Sequence, residues 1–302
     1  MKTKLPPRNI VSAILQWLVA LVGFLLCLII DNLLLPLPKE IMAAVPVSGF
    51  LTTPFAFLLN GAVNALIIVW AARRSSLKGF GLWVQLLILS FGAQVFMTQI
   101  ETGYFISAFP LLHGNFELYH LILRGLVTSA LFTLLVTWMV GGFSNTPHPQ
   151  PMFKVTADNF VKAGAWLGVI YIALYMLFGY FVAWQSQELR LFYGGPAELN
   201  SFTAQWELSL MQRPELPVFQ YFRGFLWILC LVPLFMGFAG KRTELIILSA
   251  LSLALLPTAQ LAFANPLMPA GVSLYHFYEV AISTGIFGAL CAWFVPKVIS
   301  MN

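Results

Sequence analysis

Residues Ile10–Ile30 read IVSAILQWLVALVGFLLCLII, a run of 21 residues without a charge. Coiled as a helix at 1.5 Å per residue it is about 30 Å long, the thickness of a bilayer's hydrocarbon core. The preceding MKTKLPPR gives it the look of a secretory leader. A leader's apolar region, however, covers only about 7–15 residues and ends at small residues suited to cleavage. This run ends in Asp31-Asn32-Leu33, so the expectation is a retained first transmembrane helix.

Seven further stretches have the same length and character: Phe50–Ala72, Phe80–Tyr104, Phe116–Gly141, Ala163–Trp184, Val218–Gly240, Leu245–Ala264 and Leu274–Val295. They are too long and too uniformly apolar for the alternation of a membrane β-barrel. Hydrophobic residues make up 60% of the 302 and charged residues only 9%, where a soluble domain carries about 25% charge. The composition excludes a water-soluble globular protein, a disordered chain, a collagen, a coiled coil and a disulfide scaffold. The fold class expected is all-α: a polytopic membrane protein with eight transmembrane helices, its first partner the lipid bilayer.

Orientation follows from the basic residues. One set of connections holds Lys2, Lys4, Arg8, Arg73, Arg74, Lys78, Lys154, Lys162, Lys241, Arg242 and Lys297. The opposite set holds Lys39, Arg190 and Arg213, and Arg124 and Arg223 lie within helices. Basic residues concentrate in cytoplasmic loops, so both termini are expected in the cytoplasm of a multi-pass inner-membrane protein. The same rule accounts for the net charge of +5. No basic run with interleaved aromatics stands on a soluble segment, so nucleic acid is not an expected partner. Oligomeric state and partner subunits leave no mark in the sequence.

The outer connections alternate long, short, long, short: 31–49, 105–115, 185–217 and 265–273. A longer inner linker, 142–162, contains Asn145-Thr146-Pro147-His148-Pro149-Gln150-Pro151, a turn-and-linker composition. The chain therefore divides into an N-terminal four-helix half (1–141), a cytoplasmic linker (142–162) and a C-terminal four-helix half (163–302). With an even number of helices in each, the two would be parallel repeats about an axis along the membrane normal. Leu118-Tyr119-His120 opens the fourth segment and Leu274-Tyr275-His276 the eighth. In that register Thr128 matches Thr284 and Leu134 matches Leu290.

Two long outer connections carry short helices of their own. Asn200-Ser201 caps one that runs to Gln212, and Pro38-Lys39-Glu40 starts another that runs to Ala44. Both are expected to lie on the outer surface as interfacial helices anchored by aromatics, the alternative being a lid over an outward-opening cavity. Gln187-Glu188-Leu189-Arg190 reads as a solvated charge pair, and Gly194-Gly195-Pro196 as a turn.

Ionisable residues inside lipid are costly and mark partners or cavities. Here they are confined to the outer half of the bundle: Glu101 ends the third segment, Glu117, His120 and Arg124 open the fourth, Arg223 is early in the sixth, and His276 and Glu279 open the eighth. Helical spacing gathers them into stripes: Glu117, His120, Arg124 and Thr128; His276, Glu279 and Ser283; Gln94, Thr98 and Glu101. Arg124 lies about 10 Å deeper than Glu117 and calls for a carboxylate partner.

Three roles are open to these residues. They serve as polar glue between helices, as in a structural subunit of a membrane complex. Alternatively Glu101, Glu117, His120, Arg124, Arg223, His276 and Glu279 line a site that binds or transports a small polar or anionic solute. The arginines would then be forked donors, the acids would balance charge or exchange protons, and the histidines, ordinarily titrating near about 6.5, would respond to external pH. The third role is ligation: Glu117-Leu118-Tyr119-His120 is an ExxH and His276-Phe277-Tyr278-Glu279 its reverse, so Glu117, His120, His276 and Glu279 are candidate ligands of a metal, as in a metal-dependent enzyme, or His120 and His276 of a haem. Cys27, Cys230 and Cys291 all fall in apolar runs and read as small buried hydrophobes. Asn60 and Asn64 are placed to bond across to a neighbouring helix, and Pro257 to free a carbonyl near Leu253. The function expected is the binding or movement of a small polar solute at an outward-facing site lined by segments three, four, six and eight.

Overall fold

The computed structural model describes residues 10–44, 49–112, 115–144 and 149–299. Lys2, Lys4 and Arg8 of the orientation count, and Asn145 to His148 of the linker, lie outside them. The helices are α1 (Ile10–Leu34), α2 (Lys39–Ala43), α3 (Thr53–Arg73), α4 (Gly79–Phe91), α5 (Met97–Tyr104), α6 (Asn115–Met139), α7 (Ala157–Phe181), α8 (Gln187–Phe192), α9 (Phe202–Gln212), α10 (Leu216–Gly237), α11 (Arg242–Ala259) and α12 (Ala270–Phe294). A single π-turn, Gly92–Phe96, joins α4 to α5, so these form one long helix. Among the described residues, eight helices, at the eight stretches marked in the sequence, are long and apolar enough to cross a membrane.

Local chemistry sets several of their ends. Pro54 and Pro217 stand in the first turns of α3 and α10, where a missing N–H costs nothing. Thr156 caps α7 by accepting from the Asn159 amide. Gly141, at φ +73°, turns the chain just past α6. Both predicted short helices are present. Ser201 accepts the Ala204 amide at the start of α9, and Pro38 precedes α2.

The eight long helices pack as a ring. α1 lies against α3, α3 against α11, α11 against α12, α12 against α7, α7 against α10, α10 against α4, α4 against α6, and α6 against α1. By order in the chain this is 1-2-7-8-5-6-3-4, a sequence unchanged when the first four helices are exchanged with the last four. The third and seventh long helices meet across the middle at the π-turn. There the Gln260 amide donates to the Gln94 carbonyl at 2.8 Å.

Small residues allow the closest approaches. Gly164 and Gly168 are one turn apart on α7 and face α10. A methyl group at Gly224 of α10 would lie 3.2 Å from the Gly168 Cα, an approach typical of small-residue helix pairs in lipid. At the end opposite the site, Phe153–Lys154 pairs antiparallel with Lys297–Val298. Arg242 donates to the carbonyls of Ala292, Trp293 and Pro296, closing the end of α12, and Arg74 pairs with Glu244 between the second and seventh long helices.

Two intramembrane expectations resolve differently. Pro257 cannot supply an N–H to the Leu253 carbonyl, and the Thr284 hydroxyl of α12 takes its place at 2.6 Å. Among the described residues, Asn60 and Asn64 make no hydrogen bond to a neighbouring helix. The Asn64 amide donates back to the Asn60 carbonyl and side-chain oxygen, at 3.0 and 2.9 Å. At i, i+4 on one helix the two side chains are neighbours on one face, and both bonds are internal to α3.

Candidate functional site

A half-open cavity of about 440 Å³ lies at the end of the bundle where α5 finishes and α12 begins, a volume within the usual range for small-molecule sites. The third long helix contributes Glu101, α7 contributes Tyr175 and Tyr180, and α12 contributes His276 and Glu279. Phe105, Ser107 and Ala108 follow α5, Leu216 begins α10, and most of the rest comes from the long connection between α7 and α10: Trp184, Tyr193, the Gly194-Gly195-Pro196 turn, and Gln205, Trp206 and Ser209 of α9. α9 is therefore a wall of the cavity as well as a surface helix. It is held at its start by the Tyr180 hydroxyl, which donates to the Asn200 carbonyl at 2.6 Å, and by stacking of Phe202 on Phe181.

The stripes on the third and eighth long helices converge here. Arg223 of α10 donates to both oxygens of Glu101, at 2.8 and 2.6 Å, and also to the Gln220 side-chain oxygen and the Met97 carbonyl. Its side chain is 4% exposed, whereas that of Glu101 is 29% exposed. The carboxylate faces the cavity and the guanidinium lies behind it, lining a void of about 10 Å³ together with Tyr171, Tyr175 and Glu279. That void is at the size limit for one water. Both oxygens of Glu101 occupy the fork of Arg223, so the forked donor pattern foreseen for an anionic solute is already satisfied within the protein.

On the other wall, the Tyr193 hydroxyl lies 2.9 Å from His276 Nε2, and His276 Nδ1 lies 3.0 Å from Glu279 Oε2. Burial pushes the Tyr193 phenol well above the ordinary tyrosine range, and the carboxylates of Glu101 and Glu279 push it the same way. The phenol thus keeps its proton and is the donor. A neutral imidazole in this chain accepts at Nε2 and donates from Nδ1 to Glu279, a tautomer assigned from the hydrogen-bond network. Glu279 is 6% exposed, and its Oε1 makes no hydrogen bond among the described residues.

The stripe on α6 goes elsewhere. α6 packs on α1 and α4, and Glu117, His120 and Arg124 do not line the cavity. Arg124 finds its carboxylate in Asp31 at the end of α1, donating from Nε at 3.0 Å and from Nη2 at 2.8 Å. His120 Nε2 donates to the Pro36 carbonyl at 3.0 Å. The lining expected from segment four is instead supplied by α7 and the α8–α9 connection. Helical spacing shows that residues share a face but not which neighbour that face meets. Among the described residues, no three His, Cys, Asp or Glu side chains converge as a metal-binding group.

Arg190 is not part of a solvated charge pair. It is 6% exposed and donates to the carbonyls of Trp184, Pro196 and Ala197 at 2.6, 3.2 and 2.6 Å, pinning the loop that carries Tyr193. Sequence reasoning missed Arg190, Tyr193 and Asp31. The first bonds only to backbone, which has no sequence signature, and Asp31 stood just beyond the charge-free run. Comparison with protein families, with curated proteins and with solved structures finds no match to this chain.

Proposed function

We propose that this chain is a multi-pass inner-membrane protein that binds, and carries, a small polar solute in a cavity facing the cell exterior. The observation that carries the proposal is the pair of acidic side chains, Glu101 and Glu279, brought from two different helices to one half-open cavity. Buried acids inside an apolar bundle are expensive, and cluster where they serve a pathway or a ligand. The exterior assignment rests on the count of basic residues in the sequence, 11 in one set of connections against 3 in the set that borders the cavity, which by the same rule puts both termini in the cytoplasm.

The ring order of the helices supports a duplication of two parallel four-helix halves, residues 1–141 and 163–302, joined by the 142–162 linker. A carrier built from two repeats about a membrane-normal axis is a recurrent plan, an architectural analogy rather than a chemical one. Here the two halves differ in chemistry. The C-terminal half with α5 holds the cavity, while the N-terminal half carries the Asp31–Arg124 pair between α1 and α6.

The test is equilibrium binding to the purified protein in lipid nanodiscs, read by tryptophan fluorescence. Trp184 and Trp206 line the cavity, and both report occupancy. A panel of neutral, cationic, anionic and zwitterionic metabolites of up to about a dozen heavy atoms is titrated. Saturable binding of any member, weakened in Glu101→Gln or Glu279→Gln, is the expected result. A protein that binds none of them, yet is unstable unless co-purified with other membrane subunits, is a structural subunit instead.

A further inference from the structure

Resting on the solute-binding proposal, we infer that the ligand of this cavity is a small organic cation, an ammonium compound, rather than the anion that two intramembrane arginines first suggest. The inference comes from which charges in the site are spent and which are free. Arg223 is the only arginine near the cavity floor among the described residues, and its Nη1 and Nη2 are taken by Glu101. This ion pair is neutral as a unit. Arg213, at the rim, donates to the Tyr104 carbonyl at 3.2 Å and lies over the Tyr104 and Phe105 rings. Arg190 is held by three carbonyls. Arg213 belongs to the cavity lining, but its Nη2 also reaches the Ser107 hydroxyl at 3.5 Å, so the fork of each of these described arginines is engaged by oxygens of the protein.

The acidic side is different. Glu279 is more than nine-tenths buried and lines both the cavity and the small void beneath it. Its hydrogen-bonding partner is His276 Nδ1 through Oε2 alone, and its Oε1 has no hydrogen bond among the described residues. The floor therefore presents a carboxylate with one acceptor oxygen still open. Above it the walls are aromatic: seven lining residues are Phe, Tyr or Trp. Ring faces attract an alkylammonium electrostatically and offer its alkyl groups an apolar surface, while the negative face of a ring disfavours a carboxylate or phosphate, and the indole N–H groups of Trp184 and Trp206, unpartnered among the described residues, could donate to one. A carboxylate below and Tyr175, Trp184, Tyr193 and Trp206 around it form a cage suited to an ammonium head.

The experiment uses two size-matched series on the full chain in nanodiscs, again by tryptophan fluorescence. The first is choline, its neutral carbon analogue 3,3-dimethylbutan-1-ol, and the anion 3,3-dimethylbutanoate. The second is butylammonium, butan-1-ol and butanoate. At least one ammonium is expected to bind saturably, at least about tenfold more tightly than its neutral and anionic partners, since one neutralised charge contact of about 1.4 kcal/mol corresponds to a factor of ten. Glu279→Gln is expected to remove that preference, and Trp206→Leu to weaken the ammonium by a larger factor than butan-1-ol. If Glu279→Gln does not fold, the wild-type comparison within each series still decides. Equal binding of the neutral analogue, or tighter binding of the anion, overturns the cation inference and leaves the solute-binding proposal standing. The same holds if no ammonium binds but another metabolite of the wider panel does. Failure of every solute in both experiments overturns the two together.

Discussion

Replacing Arg223 with methionine separates a structural guanidinium from a ligand-binding one. The side chain is buried behind Glu101 and makes two hydrogen bonds to that carboxylate, one to Gln220 and one to the Met97 carbonyl. Removing one partner of a buried ion pair costs about 3–5 kcal/mol, because the other charge is left uncompensated. Glu101 opens on the cavity and keeps some hydration, so the lower end, about 3 kcal/mol, is expected for Arg223→Met. The double variant Arg223→Met/Glu101→Gln has no orphaned charge and is expected to recover about 2 kcal/mol of that loss. The assay is a double-mutant cycle on unfolding of the detergent-solubilised protein, with Glu101→Gln completing it. A fully stable Arg223→Met that has lost affinity for an anion refutes the reasoning, since the guanidinium would then be reserved for a ligand.

Arg124→Met orphans Asp31 between α1 and α6 and is expected to destabilise the chain by about 3 kcal/mol with solute affinity unchanged; thermal unfolding and the nanodisc titration, read side by side, check both halves. Ser201→Ala removes the hydroxyl that caps α9 and costs that helix about 1 kcal/mol. Hydrogen exchange in residues 202–212 should accelerate by roughly fivefold, with protection of α10 unaltered. The Tyr193 phenol, raised in the folded chain by burial and then by Glu101 and Glu279, contributes stability that is intact below the ordinary tyrosine pKa of about 10 and is lost as pH rises past it. Stability measured between about pH 9 and pH 11 should therefore fall less steeply in Tyr193→Phe.

The fold was legible in the sequence because apolar runs of spanning length share one length scale. Runs such as Ile10–Ile30 stand out by that length, and all eight coincide with helices long and apolar enough to cross a membrane among the described residues. Capping chemistry was equally readable: Ser201 is followed by α9 and Pro38 by α2. The pairing of faces was not. Glu117, His120 and Arg124 share a stripe, as spacing requires, but it meets Asp31 and the Pro36 carbonyl on α1 and its following turn, while the stripes of Glu101 and of His276 with Glu279 meet each other's cavity. Periodicity fixes the relative direction of side chains on one helix and leaves the rotation of that helix to packing, here set by close contacts such as Gly168 with Gly224. Asn60 and Asn64 illustrate the same gap, since i, i+4 spacing suits an internal bond as well as an external one. The walls contributed by residues 184–196 were hidden for another reason. Arg190 organises them through backbone carbonyls, and carbonyls are present at every position of every sequence.

The most direct test places a thiol in the cavity and asks which side of the membrane reaches it. Cys27, Cys230 and Cys291 are buried and give little background, so Ser209→Cys on α9 supplies the reporter. A membrane-impermeant maleimide added to intact cells is predicted to label it, and a saturating ligand to slow the labelling. A cysteine that reacts only from the cytoplasmic side, or at the same rate with every solute offered, would contradict an outward-facing binding cavity.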